Sequence, residues 1–158
     1  MSIIKVKEYF KKFGKDKDIQ EFEISSATVA LAAQALNCKE SEIAKTLSFQ
    51  LKDGVILIVM AGDYKIDNSK FKATFQEKAV MLKFDEVENL IGHAVGGVCP
   101  FAINEGVKVY LDNSLKEHKY VYPACGSSNS AIKLSIAELE KYSNYTSWVD
   151  VGKLITND

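Results

Sequence analysis

The feature that most constrains the fold is an uninterrupted apolar run, VILIVM, at residues 55–60. A strand buried on both faces has this continuous pattern, whereas a half-exposed strand alternates with polar residues. Residues 46–51 form a second candidate strand, and Lys52-Asp53-Gly54 between the two is a hairpin turn signal. The pattern therefore predicts a hairpin whose second strand lies in the interior of a sheet.

Helical and strand patterns are interspersed along the rest of the chain. Helices are predicted around Ile3–Phe13 (ending at Gly14), after the Ser/Thr-rich start of SSATVALAAQAL, around Phe71 and Phe75, around Val87 to Ile91, and after the capping-box pair Ser135 and Glu138. Further strands are predicted at Phe22 and Ile24 and at 107–111, 119–122, 132–134 and 148–151. Hairpins and crossovers together predict an α/β fold with a mixed sheet.

Length and composition fit one globular domain, residues 1–158, with 47% apolar and 26% charged residues. No apolar run reaches the roughly 20 residues of a membrane span, and the N-terminus does not resemble a secretory signal, so we expect a cytoplasmic protein without a membrane partner. The cysteines, Cys38, Cys99 and Cys125, include no CxxC pair, and the histidines are only His93 and His118. The sequence thus predicts no disulfide framework, no metal site and no cofactor.

The charge pattern bears on nucleic-acid binding. All 20 basic residues are lysine, and residues 1–18 carry six lysines against three acidic residues. Lysine attracts phosphate but lacks the planar fork that reads bases, so we expect weak, salt-dependent contact with a nucleic-acid backbone and no DNA recognition. Lys11 and Lys12 on the first helix are candidate contacts. A solvated helix face explains the same lysines equally well.

The heptad VGGVCPF, residues 95–101, joins a glycine pair to one of only two prolines. Such a tightly specified backbone is either a simple turn or a loop that closes around a ligand. Cys99 in the heptad and the nearby His93 are close enough in sequence to form a thiolate–imidazole pair. The alternative is that Cys99 is an ordinary buried core cysteine. The GxSxG, GxxxxGK[ST] and GxGxxG motifs are absent.

Lys45 lies between Ile43 and Leu47, where a helix leads into a buried strand. At such a position a lysine either faces solvent or supplies positive charge beside a pocket. The residue pattern by itself leaves both interpretations open.

Four segments, IAKTLSF, MAGDYKID, VGGVCPF and VYPACGSSNSAIKLS, occur in this order. Together they resemble the YbaK family of aminoacyl-tRNA deacylases, and they are similar to the editing domain inserted in bacterial-type prolyl-tRNA synthetases. The resemblance implies a mixed sheet curled toward a barrel and flanked by helices. It also implies hydrolysis of amino acids mischarged on tRNA, chiefly tRNA for proline, without a metal ion. The partners implied are the acceptor end of aminoacyl-tRNA and prolyl-tRNA synthetase.

The resemblance assigns roles to particular residues. Lys45 becomes the essential lysine at the terminal phosphate or the aminoacyl end, and Gly96 and Gly97 hold the ester near backbone amides, all in one cleft. Further substrate-binding positions implied are Thr28, Met60, Gly62, Val98, Cys99, Pro100, Gly126, Ser127 and Ser128. The loop at residues 124–129 lacks the basic, GG-rich form of members that act on cysteinyl-tRNA, which disfavours cysteine. A module of the same fold that only docks tRNA or a synthetase is the alternative.

Overall fold

The structure is a computed structural model and describes residues 2–156. Its helices are α1 (Ser2–Lys11), α2 (Val29–Leu36), α3 (Asn68–Phe75), α4 (Phe84–Ile91) and α5 (Ile136–Ser143). Its strands are β1 (Gln20–Glu21), β2 (Ile43–Leu51), β3 (Gly54–Ala61), β4 (Tyr64–Ile66), β5 (Lys108–Asp112), β6 (Tyr120–Pro123), β7 (Ser130–Ala131), β8 (Leu134–Ser135), β9 (Ser147–Val149) and β10 (Gly152–Leu154).

Six of these strands form one mixed sheet in the order β8-β6-β2-β3-β5-β9. The β2–β3 hairpin at its centre is antiparallel, whereas β6 runs parallel to β2 and β5 parallel to β3. The sheet curls into a half-barrel with helices around it. The predicted α/β fold with a mixed, curved sheet is confirmed.

Burial on both faces of β3 explains its uninterrupted apolar run. Leu57 and Val59 pack in the larger core cluster, which also contains Phe10 of α1. Ile56 and Ile58 point to the opposite face and pack in a second cluster with α3 and the end of β9. Successive side chains of a strand alternate between faces, so only a strand covered on both sides requires an apolar residue at every position.

The strands predicted at Phe22 and Ile24 and at 132–134 are not formed as predicted, and β4 and β10 were not predicted. The strand predicted at Phe22 and Ile24 is wrong, because β1 ends at Glu21 and the Phe22 backbone bonds instead to Asn129. Of the strand predicted at 132–134, only Leu134 lies in a strand, β8, which pairs with β6. The preceding β7 ends at Ala131 and pairs with β1. Both differences arise from long-range backbone hydrogen bonds that a local pattern does not encode.

Local signals at helix ends were more reliable. The predicted capping box opens α5, where Ser135 Oγ accepts from the Glu138 N–H at 3.1 Å and Glu138 Oε1 accepts from the Ser135 N–H at 2.9 Å. Among residues 2–156, the structure contains no helix long and apolar enough to cross a membrane.

Candidate active site

A cavity of about 470 Å³ opens beside the first half of β2. Its walls come from the start of α2, from residues 43–48 of β2, from the segment 81–87, from residues 95–98 (the glycine loop) and from β6 and β7. Most of the lining is apolar, with Leu82 and Val87 buried in it. Among the described residues that line the cavity, Lys45 is the one with a charged side chain.

The cavity lies where one edge of β2 has no neighbouring strand. At one end of β2, β6 pairs with Ile43 and Ala44. At the other end, the Gln50 N–H donates to Val80 O at 2.9 Å and the Leu82 N–H donates to Ser48 O at 3.2 Å. Backbone groups of an antiparallel strand alternate in direction, so the N–H and C=O of Thr46 also point away from β3, toward the gap. The cavity is therefore lined by backbone donors and acceptors as well as side chains.

Thr46 adds a side-chain group at the same place. Its Oγ1 is buried and has no hydrogen-bond partner within the part of the chain that the structure describes. A buried hydroxyl without a partner is costly, and a ligand or a water molecule in the cavity would satisfy it. Thr46 was not among the residues singled out from the sequence.

Lys45 reaches the cavity from a half-buried position on β2. Its Nζ donates to the backbone oxygen of Gly62 at 3.4 Å, which is a long hydrogen bond. Burial lowers the pKa of the Lys45 amine, and the nearby Asp63 carboxylate partly offsets that effect. A half-desolvated, weakly held ammonium group is suited to receive an anionic or polarised oxygen.

Gly62 explains how the end of β3 packs closely against the start of α2. Gly62 is buried, and a Cβ added there would collide with the Glu40 carbonyl oxygen and lie 2.7 Å from Val29 Cγ1. Only glycine lets these elements approach the end of β3 so closely. Gly62 therefore lies next to Lys45, whose Nζ contacts the carbonyl oxygen of Gly62.

The glycine loop has two different glycines. The Gly97 N–H donates to Ala94 O at 3.0 Å and closes a tight turn in which Gly96 has a φ of +94°. A positive φ at the third turn position favours glycine, as in type II turns. Gly96 lines the cavity together with Val98, so this turn and Lys45 face the same space.

Gly97 is instead buried against another loop. A Cβ at this position would lie 2.6 Å from Ser127 N and 2.7 Å from the carbonyl carbon of Gly126. The loop of residues 95–98 thus touches the loop of residues 126–128 backbone to backbone. Direct contact of Gly97, Gly126 or Ser127 with a substrate stays a prediction.

The other predicted site residues are distributed around this centre. Thr28 lines the cavity and caps α2, with its Oγ1 accepting from the Leu31 N–H at 3.2 Å. Ser128 bonds to the adjoining segment, where its carbonyl oxygen accepts from the Ser26 N–H at 2.6 Å. Met60 and Pro100 are buried in the core beyond the lining. Their contact with substrate also stays a prediction.

Cys99 and His93 are adjacent, but their chemistry does not suit nucleophilic catalysis. Cys99 Sγ lies 3.5 Å from His93 Nε2, and both side chains are fully buried, outside the cavity lining. Burial raises the pKa of the Cys99 thiol to about 12 and lowers the pKa of His93. His93 Nε2 lies 2.7 Å from Phe101 O, so this nitrogen carries the proton and donates it to that carbonyl. The geometry supports a neutral, structural pair.

Replacement of Cys99 by serine tests this interpretation. We expect Cys99→Ser to retain most hydrolytic activity, because a serine hydroxyl can donate to Phe101 O as the thiol does at 3.7 Å. Steady-state deacylation with mischarged tRNA measures the effect, and thermal unfolding reports on folding. Loss of activity in a folded variant, with an acyl-enzyme trapped in the parent, would instead assign the thiol to catalysis.

Several cavity residues were missed by the sequence analysis. Met81, Phe84, Tyr122 and Ser130 all line the cavity. The clearest unused signal was Phe84, a large apolar residue between charged neighbours at the start of a helix. Within residues 2–156, no cluster of three or more His, Cys, Asp or Glu side chains could hold a metal ion.

These features define a small α/β domain with a largely apolar cleft whose described lining includes one cationic side chain, that of Lys45. The chain belongs to the family of aminoacyl-tRNA editing domains, whose model matches residues 25–142. The resemblance seen in the sequence is thereby confirmed. The matched residues run from just before α2 into α5 and include all the residues that line the cavity.

Individual relatives agree with this assignment. The chain is 50% identical over 154 residues to the uncharacterized protein YwhH of Bacillus subtilis (strain 168), covering 97% of this chain and 98% of that protein. It is 28% identical over 117 residues to a proline–tRNA ligase of Kosmotoga olearia, covering 69% of this chain but 20% of the ligase. The chain thus spans about a fifth of that ligase.

A solved structure shows the same architecture over nearly the whole chain. A crystal structure described as a candidate trans-editing enzyme for prolyl-tRNA synthetase superposes with a TM-score of 0.86 at 25% identity. The match covers 96% of this chain and 97% of the other. The half-barrel sheet and its helices are therefore the fold of the editing domains.

Proposed function

We propose that this protein is a trans-editing hydrolase that removes a small, wrongly attached amino acid from tRNA, with tRNA for proline as the first candidate. The observation that carries the proposal is the shared cavity of Lys45 and the Gly96 turn in a member of the editing-domain family. The similarity to a proline–tRNA ligase supports the choice of tRNA. The acceptor end of the tRNA is the part that enters.

The chemistry needs little beyond positioning. An aminoacyl ester is an activated acyl group, so water attacks its carbonyl carbon and the bond to the ribose oxygen breaks, releasing free amino acid and tRNA with the water proton on the leaving oxygen. The ribose hydroxyl beside the ester can assist the water. Lys45 stabilises negative charge at the ester oxygen or terminal phosphate, and the Gly96 turn lines the same cavity. No metal step is required by this scheme.

The cavity also suggests which aminoacyl groups fit. Its volume of about 470 Å³ falls in the range of small-molecule sites, so it takes the aminoacylated end and excludes the tRNA body. The described lining has no carboxylate, so the amino group of the substrate finds only neutral acceptors, such as the Thr46 carbonyl oxygen at the open edge. A small, uncharged amino acid matches these walls better than a charged one.

A deacylation panel tests the proposal. Ala-, Ser-, Thr- and Cys-tRNA, each prepared on more than one tRNA, are incubated with the protein, with and without EDTA. We expect at least one small aminoacyl group to be released well above the uncatalysed rate and EDTA to leave that rate unchanged. Tight tRNA binding with no hydrolysis of any member would favour the docking module of the same fold. A rate abolished by EDTA would contradict the metal-independent scheme.

A further inference from the structure

The mouth of the cavity carries an apolar patch that the hydrolytic scheme does not use. Phe84 is 81% exposed, and Met81 and Val95, which also line the cavity, are 55% and 45% exposed. Single exposed apolar residues are ordinary on a protein surface, but a group around the mouth of a cavity marks a contact site. We define these three residues as the rim.

The position of Phe84 is fixed by its helix. Phe84 is the first residue of α4, whose opening turn is held by a hydrogen bond from the Lys83 N–H to Glu86 Oε1 at 3.0 Å. Val87 and Ile91 anchor the same helix in the core. A well-anchored helix therefore holds an aromatic ring out at the cavity mouth, where it is pre-positioned for a ligand.

Resting on the proposed function, we propose that Phe84 is a substrate-positioning residue that stacks on the terminal adenine of the tRNA acceptor end. The ester must lie inside, near Lys45 and Gly96, so the attached adenosine leaves the cavity through its mouth. Single-stranded ends of RNA are commonly held by stacking of unpaired bases on aromatic side chains. Met81 and Val95 complete an apolar surface around the ring.

Stacking also fits the charge pattern of the chain. The protein has no arginine, so the planar guanidinium that stacks on bases in many RNA-binding proteins is not available. Lysine attracts phosphate as a point charge, but its ammonium group has no planar surface on which a base can stack. An exposed phenylalanine at the mouth supplies that platform without reading base sequence.

The test uses an uncharged acceptor-stem minihelix in which 2-aminopurine replaces the terminal adenine. Stacking quenches the fluorescence of 2-aminopurine, and this signal does not depend on hydrolysis. We expect the parent protein to quench the fluorescence, and Phe84→Ala to lose quenching and bind roughly 5- to 150-fold more weakly, the range for loss of one stacked base. Phe84→Trp should retain quenching. Leu90→Ala, which shortens another exposed apolar residue of α4, is the matched control.

Each outcome decides between stacking and other roles of the rim. Quenching by Phe84→Ala equal to the parent, or a parent that leaves the fluorophore unquenched at saturation or fails to bind the minihelix, would overturn the proposal. Suppose that the parent self-associates, that Phe84→Ala is monomeric, and that neither protein quenches 2-aminopurine fluorescence. That result would assign the rim to contact with a second copy of this chain. Quenching without hydrolysis of any charged tRNA would reject the proposed function and keep the stacking contact. Hydrolysis of a charged tRNA without quenching would support the proposed function and reject the stacking contact.

Discussion

Lys45→Ala is expected to lower single-turnover deacylation by about a hundredfold or more while leaving the fold intact. Loss of one charge-stabilising group in a water-poor site typically costs a few kcal/mol of transition-state stabilisation. Lys45 is the one charged side chain in the described cavity lining, so no neighbour there can replace it. Its side chain makes only one long hydrogen bond, to Gly62 O, so its removal should cost little stability.

Two further variants make the Lys45 result specific. Lys45→Arg should rescue poorly, because the wider planar guanidinium does not fit where the ammonium lies near Gly62. Lys65→Ala removes an exposed lysine of β4 outside the cavity and should hydrolyse like the parent. Circular dichroism and thermal unfolding check folding. Parent-like rates in both Lys45 variants would place the chemistry elsewhere.

The pH dependence of the parent provides an independent check on Lys45. If the ammonium form is the active one, catalysis is fully present below the pKa of Lys45 and is lost as pH rises through it. Burial lowers that pKa, so the decline should begin at a lower pH than for an exposed lysine. Rates are corrected for the uncatalysed hydrolysis, which rises with pH. A corrected rate that keeps rising with pH through the pKa of Lys45 would contradict a catalytic role for the Lys45 ammonium group.

Gly97→Ala is the second change with a large expected effect. The new methyl group would lie within 2.6–2.8 Å of three backbone atoms of Gly126 and Ser127, which cannot rotate away as a side chain can. Separating the two loops should lower the free energy of unfolding by about 1–3 kcal/mol. It should also displace the neighbouring Gly96 turn, and displacements near 1 Å can cost on the order of a hundredfold in rate.

Gly106→Ala is the matched control for Gly97→Ala. Gly106 also lies in a loop, but a Cβ there meets nothing within 4 Å, and its φ of +87° adds only local backbone strain. We expect it to lose about 1 kcal/mol of stability and little activity. Denaturant unfolding and single-turnover deacylation measure both variants. Equal behaviour of the two variants would show that the contact between the loops has no special role.

The parts of the fold that sequence predicted are those with a local physical cause. The apolar run of β3 follows from burial on both faces. The capping box of α5 follows from two reciprocal hydrogen bonds between Ser135 and Glu138, three residues apart in sequence. Lys45 alone was ambiguous from its surroundings, and only the four ordered segments gave it a role. The family and the curled sheet followed from those segments as well.

The parts that escaped prediction depend on contacts between distant segments. The open edge of β2 exists because β6 and residues 80–82 pair with opposite ends of the strand. The contact of Gly97 with Ser127 joins residues 30 positions apart, and the rim at Phe84 is defined by the cavity it surrounds. No periodicity within a single segment encodes such neighbours.

The gap beside β2 has a consequence for how the protein behaves in crowded surroundings. Unpaired strand edges ordinarily invite other chains to add a strand, which leads to aggregation. Along this edge of β2, only the stretch around Thr46 has no backbone partner among the described residues, with β6 at one end and residues 80–82 at the other. The gap between these two neighbours spans only residues 45–47, which is too short for a strand from another molecule to form a ladder. The main-chain N–H and C=O groups in the gap beside β2 can therefore bind a small molecule but cannot pair with a strand of another polypeptide.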